Sequence, residues 1–196
     1  MTRIFGDDGS VVPVSVIEAT PNTVTGLRTP ERDGYAAVQL GAGQARRVSR
    51  PVAGQLKALP KEHQKPRHVR EFRLDSDEAH EVGQQLTVEL FEAGELVDVI
   101  GVSKGHGFAG VIKRHHFKRG PKTHGSDHHR APGSVGAGTD PGRVWKGTGM
   151  PGHLGHDRVT VKKLRVVRVD PERNLILVRG AVPGARNGVL LIQKAK

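Results

Sequence analysis

The sequence predicts a mainly β fold, closed or nearly closed into a barrel, from which a long basic arm projects. Three observations carry that prediction. Short β-branched runs recur along the chain, Gly, Pro, Asp and Asn turn signals separate them, and no helical period alternates with them as βαβ units would require.

Residues 11–17 (Val-Val-Pro-Val-Ser-Val-Ile) follow an Asp7-Asp8-Gly9-Ser10 turn, so residues 1–17 read as a hairpin. Pro13 has no N–H to give a ladder, which places its strand at an edge or on a bulge. A short strand is expected at 35–40. The runs 86–91 and 96–102 flank Ala93-Gly94 as a second hairpin. Residues 159–169 partly alternate Val159, Val161, Val166 and Val169 with Lys162, Arg165 and Arg168. The turn Asp170-Pro171-Glu172-Arg173-Asn174 leads into a strand at 175–178, and 189–192 closes the chain. One helix is expected: Pro51 suits its first position, Val52, Leu56 and Leu59 share a face, and Pro60 stops it. The basic, polar residues 61–73 read as a surface excursion. No internal repeat is visible.

The strands at 96–102 and 159–169 enclose residues 103–158, the layout of a loop projected from a scaffold. This segment carries ten Lys or Arg (Lys104, Lys113, Arg114, Lys118, Arg119, Lys122, Arg130, Arg143, Lys146, Arg158) against Asp127, Asp140 and Asp157, a net +7 of the chain's +11. Thirteen of the 26 Gly and eight of the 11 His fall here, but only seven of its residues are Leu, Ile, Val or Phe. So little apolar material does not build a core. A loop this long is either without structure or ordered by a partner, and its charge makes that partner a polyanion. Half of the segment, fully extended, would reach on the order of 90 Å at about 3.3 Å per residue.

The remaining whole-chain features narrow the class. With 196 residues the chain is long enough for one ordinary domain with a core. The absence of Cys excludes disulfides, Cys-type zinc sites and thiol catalysis. No apolar run approaches the roughly 18 to 20 residues that span a bilayer, so no membrane is expected. The N-terminal residues have no apolar signal region, and the expectation is a cytoplasmic protein.

Four motifs invite chemistry. Gly105-His106-Gly107-Phe108-Ala109-Gly110 fits GxGxxG after a predicted strand, but a dinucleotide site needs a helix next, and the β-branched, basic residues 111–117 predict none. Backbone approach to phosphate suits these glycines better. The histidines (His106, His115, His116, His124, His128, His129, His153, His156) lack the i, i+4 spacing of a helical zinc site, and no Glu occurs in the arm; phosphate donation and base stacking fit them better. Trp145 lies in Gly142-Arg143-Val144-Trp145-Lys146-Gly147, where either core packing or base stacking is open to it. Ser103 and Ser134 show no nucleophile-elbow context, and Asp7-Asp8 sit in a turn, so an enzyme is the weaker reading.

The strings Ser103-Lys104-Gly105-His106-Gly107-Phe108-Ala109-Gly110, Thr123-His124-Gly125-Ser126, Arg130-Ala131-Pro132-Gly133-Ser134-Val135-Gly136, Pro141-Gly142-Arg143-Val144-Trp145-Lys146-Gly147 and Met150-Pro151-Gly152-His153-Leu154-Gly155 resemble the arm of the ribosomal large-subunit protein three family, bacterial type. Met1-Thr2-Arg3-Ile4-Phe5, Glu71-Phe72-Arg73 and the string from Asn174 through Val178 to Gly184 extend the resemblance over nearly the whole chain. It implies a translation-protein-type β-barrel with a small α+β insertion and a long extended basic arm. On that pattern residues 1–43, 86–102 and 159–196 form the barrel body, 44–85 the insertion, and 103–158 an arm that penetrates ribosomal RNA toward the peptidyl transferase centre. The resemblance also implies direct binding of large-subunit ribosomal RNA, a part in nucleating subunit assembly, and large-subunit proteins fourteen and nineteen as neighbours. No catalysis, cofactor or metal is expected. The residues expected to contact RNA are Lys104, Lys113, Arg114, Lys118, Arg119, Lys122, His124, Arg130, Arg143, Trp145, Lys146, His153 and Arg158.

Three departures from the family pattern bear on these expectations. The residues that usually precede the Met1-Thr2 equivalent and end in Lys-x-Gly are missing, so the expectation is either a first strand cut short or a start site assigned too late. His153 stands where the family carries a methylated glutamine, and Thr148-Gly149 stand where a basic pair is common, leaving the tip less charged. Two other functions compete: a metal-dependent nucleic-acid-processing enzyme using the His-rich arm, and a free RNA chaperone. Stoichiometric zinc would favour the first, and absence from large subunits at high salt the second.

Overall fold

A computed structural model describes residues 1–6, 8–74 and 80–195. Asp7 of the first predicted turn, residues 75–79 of the 44–85 segment and the last residue of the chain lie outside the described residues.

The N-terminal hairpin forms as expected. β1 (Thr2–Phe5) and β2 (Val11–Glu18) pair antiparallel from Thr2↔Val14 to Phe5↔Val11. In their turn Asp8 Oδ1 accepts the Ser10 N–H at 3.1 Å and its hydroxyl at 2.6 Å, which holds that carboxyl below the usual Asp range. On its other side β2 pairs with β11 (Leu175–Arg179), so the strand of Pro13 is not at an edge, nor does that register show a bulge. The proline is tolerated because the β2/β11 ladder ends at Val14↔Arg179. The Pro13 carbonyl accepts the Gly180 N–H at 2.9 Å, so its missing N–H also points toward a strand that has already stopped.

β7 (Leu96–Val102), β10 (Arg158–Asp170) and β12 (Leu190–Lys194) complete a six-stranded sheet in the order β1-β2-β11-β10-β7-β12. The mainly β class holds, but the closed ring expected of a barrel does not form among the described residues, because β1 and β12 remain edges. Both are short, four and five residues, which limits pairing with further strands. The predicted 170–174 turn is present: Asp170 Oδ1 accepts the Arg173 N–H at 3.2 Å, and Asn174 takes φ 53°.

The chain divides into two compact units, Met1–Val97 with Lys163–Ala181 and Lys194–Lys196, and Asp98–Lys162 with Val182–Gln193. In the first unit Val14, Val24, Val97, Val166, Ile176 and Val178 are fully buried. Each such side chain contributes roughly 1.5–3 kcal/mol. The same unit holds a second sheet, ordered β5-β4-β3-β6, from β3 (Asn22–Arg28), β4 (Ala37–Gln44), β5 (Pro66–Arg73) and β6 (Gln85–Leu86). A four-residue helix, α1 (Pro30–Asp33), turns the chain between β3 and β4.

Two sequence expectations fail here. Residues 61–73 are not a plain surface excursion: a 3₁₀ turn at Lys61–His63 leads into β5, which pairs with β4 from Ala37↔Arg73 to Gln44↔Pro66. As an edge strand β5 tolerates the charged side chains that hide its signal. Nor do 86–91 and 96–102 form a hairpin. β6 pairs with β3, while Val88–Leu90 is a 3₁₀ turn that buries Val88 and leaves Leu90 47% exposed. Leu86, Val88 and Leu90 alternate like a strand, but only Val88 finds a core. The expected helix is α2 (Arg50–Gln55), with Leu56 and Leu59 buried just beyond it.

In the second unit Val99, Ile100, Ala109 and Val111 are buried. Gly101 of β7 is required by close approach: a Cβ there would lie 2.8 Å from Leu190 and 2.9 Å from Pro183.

Candidate nucleic-acid interface

Residues 103–158 fold back on themselves through a stem. The Ser103 N–H donates to the Asp157 carbonyl at 2.9 Å, the Asp157 N–H to the Ser103 hydroxyl at 3.1 Å, and the His106 N–H to the Leu154 carbonyl at 2.8 Å. β8 (Phe108–Ala109) and β9 (Gly152–His153) then pair antiparallel, Phe108 opposite His153. A short helix, α3 (Val111–His115), follows with Val111 buried. The expectation that no helix follows GxGxxG is therefore overturned: Gly110 leaves the strand in extended conformation and frees Val111 to anchor one helical turn. The dinucleotide reading still fails, since a five-residue helix between antiparallel strands is no βαβ unit.

The stem extends one step further. Arg114 Nη1 donates to the Met150 carbonyl at 2.7 Å, and His115 Nε2 lies 3.1 Å from the same oxygen. Thus the arm's base is ordered by the chain's own hydrogen bonds, where composition allowed only a loop without structure or one ordered by a partner. Beyond it, residues 118–148 form a tip of turns and irregular backbone. Between Val111 and Val166 no residue is buried.

The expected contact residues occupy this surface unevenly. Arg119, Lys122 and Arg130 come together, with His129, around one cleft. The loop carrying them closes through the Gly120 N–H on the His129 carbonyl at 3.1 Å and His129 Nδ1 at 2.9 Å from the Pro121 carbonyl. His129 is among the arm histidines suited to phosphate but not among the residues expected to contact RNA; its place beside Arg130 was the available signal. Arg143 and Trp145 form a second group, the guanidinium 4.2 Å above the indole centroid. Trp145 is 57% exposed, which removes the core-packing alternative. His153 sits on β9 with its ring edge-on to that of His156, 6.5 Å between centroids. Arg114 is half-buried against the stem. Lys104, Lys113, Lys118, His124, Lys146 and Arg158 are exposed, each apart from these groups.

Among the described residues none of the ten arm cations pairs with an acid, in contrast to Arg28, Arg32 and Lys194 elsewhere. Nor is there a group of three or more His, Cys, Asp or Glu among them that could hold a metal ion. What the arrangement offers is uncompensated positive charge, an open aromatic face and a basic cleft, all in water. That set suits the phosphates and bases of a nucleic acid. No helix of the described residues is long and apolar enough to cross a membrane.

Comparison with known proteins agrees in kind. The family described as Ribosomal protein L3 matches residues 69–174. The chain is 54% identical over 198 residues to the large ribosomal subunit protein uL3 of Herpetosiphon aurantiacus, covering 100% of this chain and 92% of that one. It is 56% identical, with the same coverage, to the protein of that name from Gloeobacter violaceus. Against that from Heliobacterium modesticaldum the identity is 52% over 197 residues, again with 100% and 92% covered.

Proposed function

The chain belongs to the ribosomal protein L3 family, and from that membership we infer a structural constituent of the large ribosomal subunit that binds large-subunit ribosomal RNA. Its role is structural rather than catalytic. The body, residues 1–43, 86–102 and 159–196 in the barrel-like part with 44–85 as its insertion, anchors the protein. Residues 103–158 enter the RNA toward the peptidyl transferase centre and help nucleate subunit assembly, with large-subunit proteins fourteen and nineteen as neighbours.

One observation carries this reading: among the described residues, ten cations without acidic partners stand on a segment that buries nothing between Val111 and Val166. Lys104, Lys113, Arg114, Lys118, Arg119, Lys122, Arg130, Arg143, Lys146 and Arg158 supply phosphate contacts, Arg114 while also tying α3 to the stem, His124 and His153 donate to RNA, and Trp145 stacks on a base. Ten phosphate contacts correspond to a slope of about −7 to −9 in log affinity against log salt, at roughly −0.7 to −0.9 per contact. Trp145 is the chain's only Trp, so its fluorescence reports the arm directly. Titrating the protein with large-subunit RNA at several salt concentrations should quench that emission and yield a slope at least that steep. A slope near −2 with unchanged emission would mean that the arm is not the main contact.

A further inference from the structure

The basic excess of this chain is not confined to the arm. Residues 45–65 carry Arg46, Arg47, Arg50, Lys57, Lys61 and Lys65 against a single acid, Glu62, a net +5 in 21 residues. Taking this +5 and the arm's +7 from the total of +11 leaves −1 on the other 119 residues. Two segments therefore hold the whole surplus, and the shorter is about twice as densely charged.

The shorter segment differs from the arm in being folded around apolar anchors. It leaves the end of β4 and returns into β5, and its two ends are pinned by the Ala45 N–H on the Lys65 carbonyl at 2.8 Å. Leu56 and Leu59 are buried beneath it, and Gln64 Nε2 donates to the Leu59 carbonyl at 2.6 Å. His63 ties it to the sheet, with Nδ1 3.3 Å from the Thr23 hydroxyl on β3 and Nε2 3.1 Å from the Gln85 amide on β6. All six cations are exposed, and none forms an ion pair among the described residues.

We propose that residues 45–65 form a second RNA-backbone-binding surface, a prefolded cationic knob that grips phosphates independently of the arm. Arginine supplies half of its charge, and three Arg within five residues (Arg46, Arg47, Arg50) suit the paired oxygens of phosphates. Being already folded, the knob binds without the ordering cost that an open segment carries. Such contacts read charge spacing and carry no base specificity. The inference rests on the protein's residence on RNA, but it concerns residues outside the arm.

The test uses the full chain and purified large-subunit RNA. The variant Arg46→Gln/Arg47→Gln/Arg50→Gln should make the log–log salt slope shallower by about 2 to 3, at roughly 0.7 to 0.9 per lost contact. Saturating quench of Trp145 should persist, because the arm still engages. A second variant, Lys57→Gln/Lys61→Gln/Lys65→Gln, should do the same and covers the case in which the first melts early. An unchanged slope in a variant that melts like the parent overturns the proposal, whether the knob is then idle or reserved for an acidic protein. That outcome leaves the arm's role standing, whereas loss of the quench in the parent protein would strike the arm and not the knob.

Discussion

Glu71 of β5 collects three donors: the Tyr35 hydroxyl at 2.6 Å, the Gln39 amide at 3.0 Å and Arg28 Nε at 3.5 Å. The Tyr35 hydrogen bond is the strongest influence and Gln39 the next; with Arg28 they hold the carboxyl below the usual Glu range, against partial desolvation. A carboxylate favoured in the folded state lends stability that is complete above its unfolded value, about 4.3. That stability is lost as pH falls through the lower, folded value. Tyr35 is raised, chiefly by donating to Glu71, and its contribution runs the other way, present below its unfolded value and lost as pH rises through the folded one. Glu71→Gln should therefore melt below the parent at about pH 7, with the gap closing as pH falls below about 4.3. Thermal melts of both proteins across that range decide it: a constant gap would show that packing, and not the carboxylate's charge, is what these donors support.

Along the arm's stem, order depends on one glycine. Gly155 takes φ +75°, and a Cβ there would overlap the Lys104 carbonyl. A left-handed Ala costs about 1 kcal/mol by itself, and here backbone must also move. Gly155→Ala should strip protection from the His106 and Leu154 amides, which bond across the stem, and speed proteolysis within residues 103–158. Gly125→Ala is the control. Gly125 also has positive φ (+70°), but nothing lies within 4 Å, so those amides should stay protected and only about 1 kcal/mol of strain should remain, confined to the tip. Hydrogen exchange reads both, and equal loss in the two variants would deny Gly155 its special place. The same elements mark how far the sequence could be read. Turn chemistry at Asp8-Gly9-Ser10 and 170–174 was local, so β1, β2, β10 and β11 were legible. β5 was not, because an edge strand of Arg, His and Glu carries no apolar alternation. The 86–91 run carries that alternation without being a strand, since burial at Val88 depends on neighbours remote in sequence. The arm's charge was plain from composition, whereas its stem bonds through backbone groups that every residue has, and such pairing leaves no trace in residue type.

For the molecule as a whole, charge and core are divided. The side chains fully buried in the first unit lie in β2, β3, β4, β7, β10 and β11, whereas nothing from Ile112 to Arg165 is buried. An excision of 113–155 would remove Leu154, which accepts from His106 and donates to Gly107 across the stem. The geometry puts the cut further out. A Cβ on Gly149 would lie 3.1 Å from Phe117, so the ends of the 118–148 tip are already close and a short Gly/Ser linker can join them. The excision takes Lys118, Arg119, Lys122, Arg130, Arg143 and Lys146, six of the ten arm cations. Because it removes no buried residue, the shortened protein should melt within about 2 °C of the parent. Its slope against salt on large-subunit RNA should be shallower by about 4 to 5. Melting and binding then test separate halves of one claim. A large drop in the melting temperature would mean that the tip supports the body, and an unchanged slope would mean that its cations never reach phosphate. Either result would break the division of labour between a core that folds and an extension that binds.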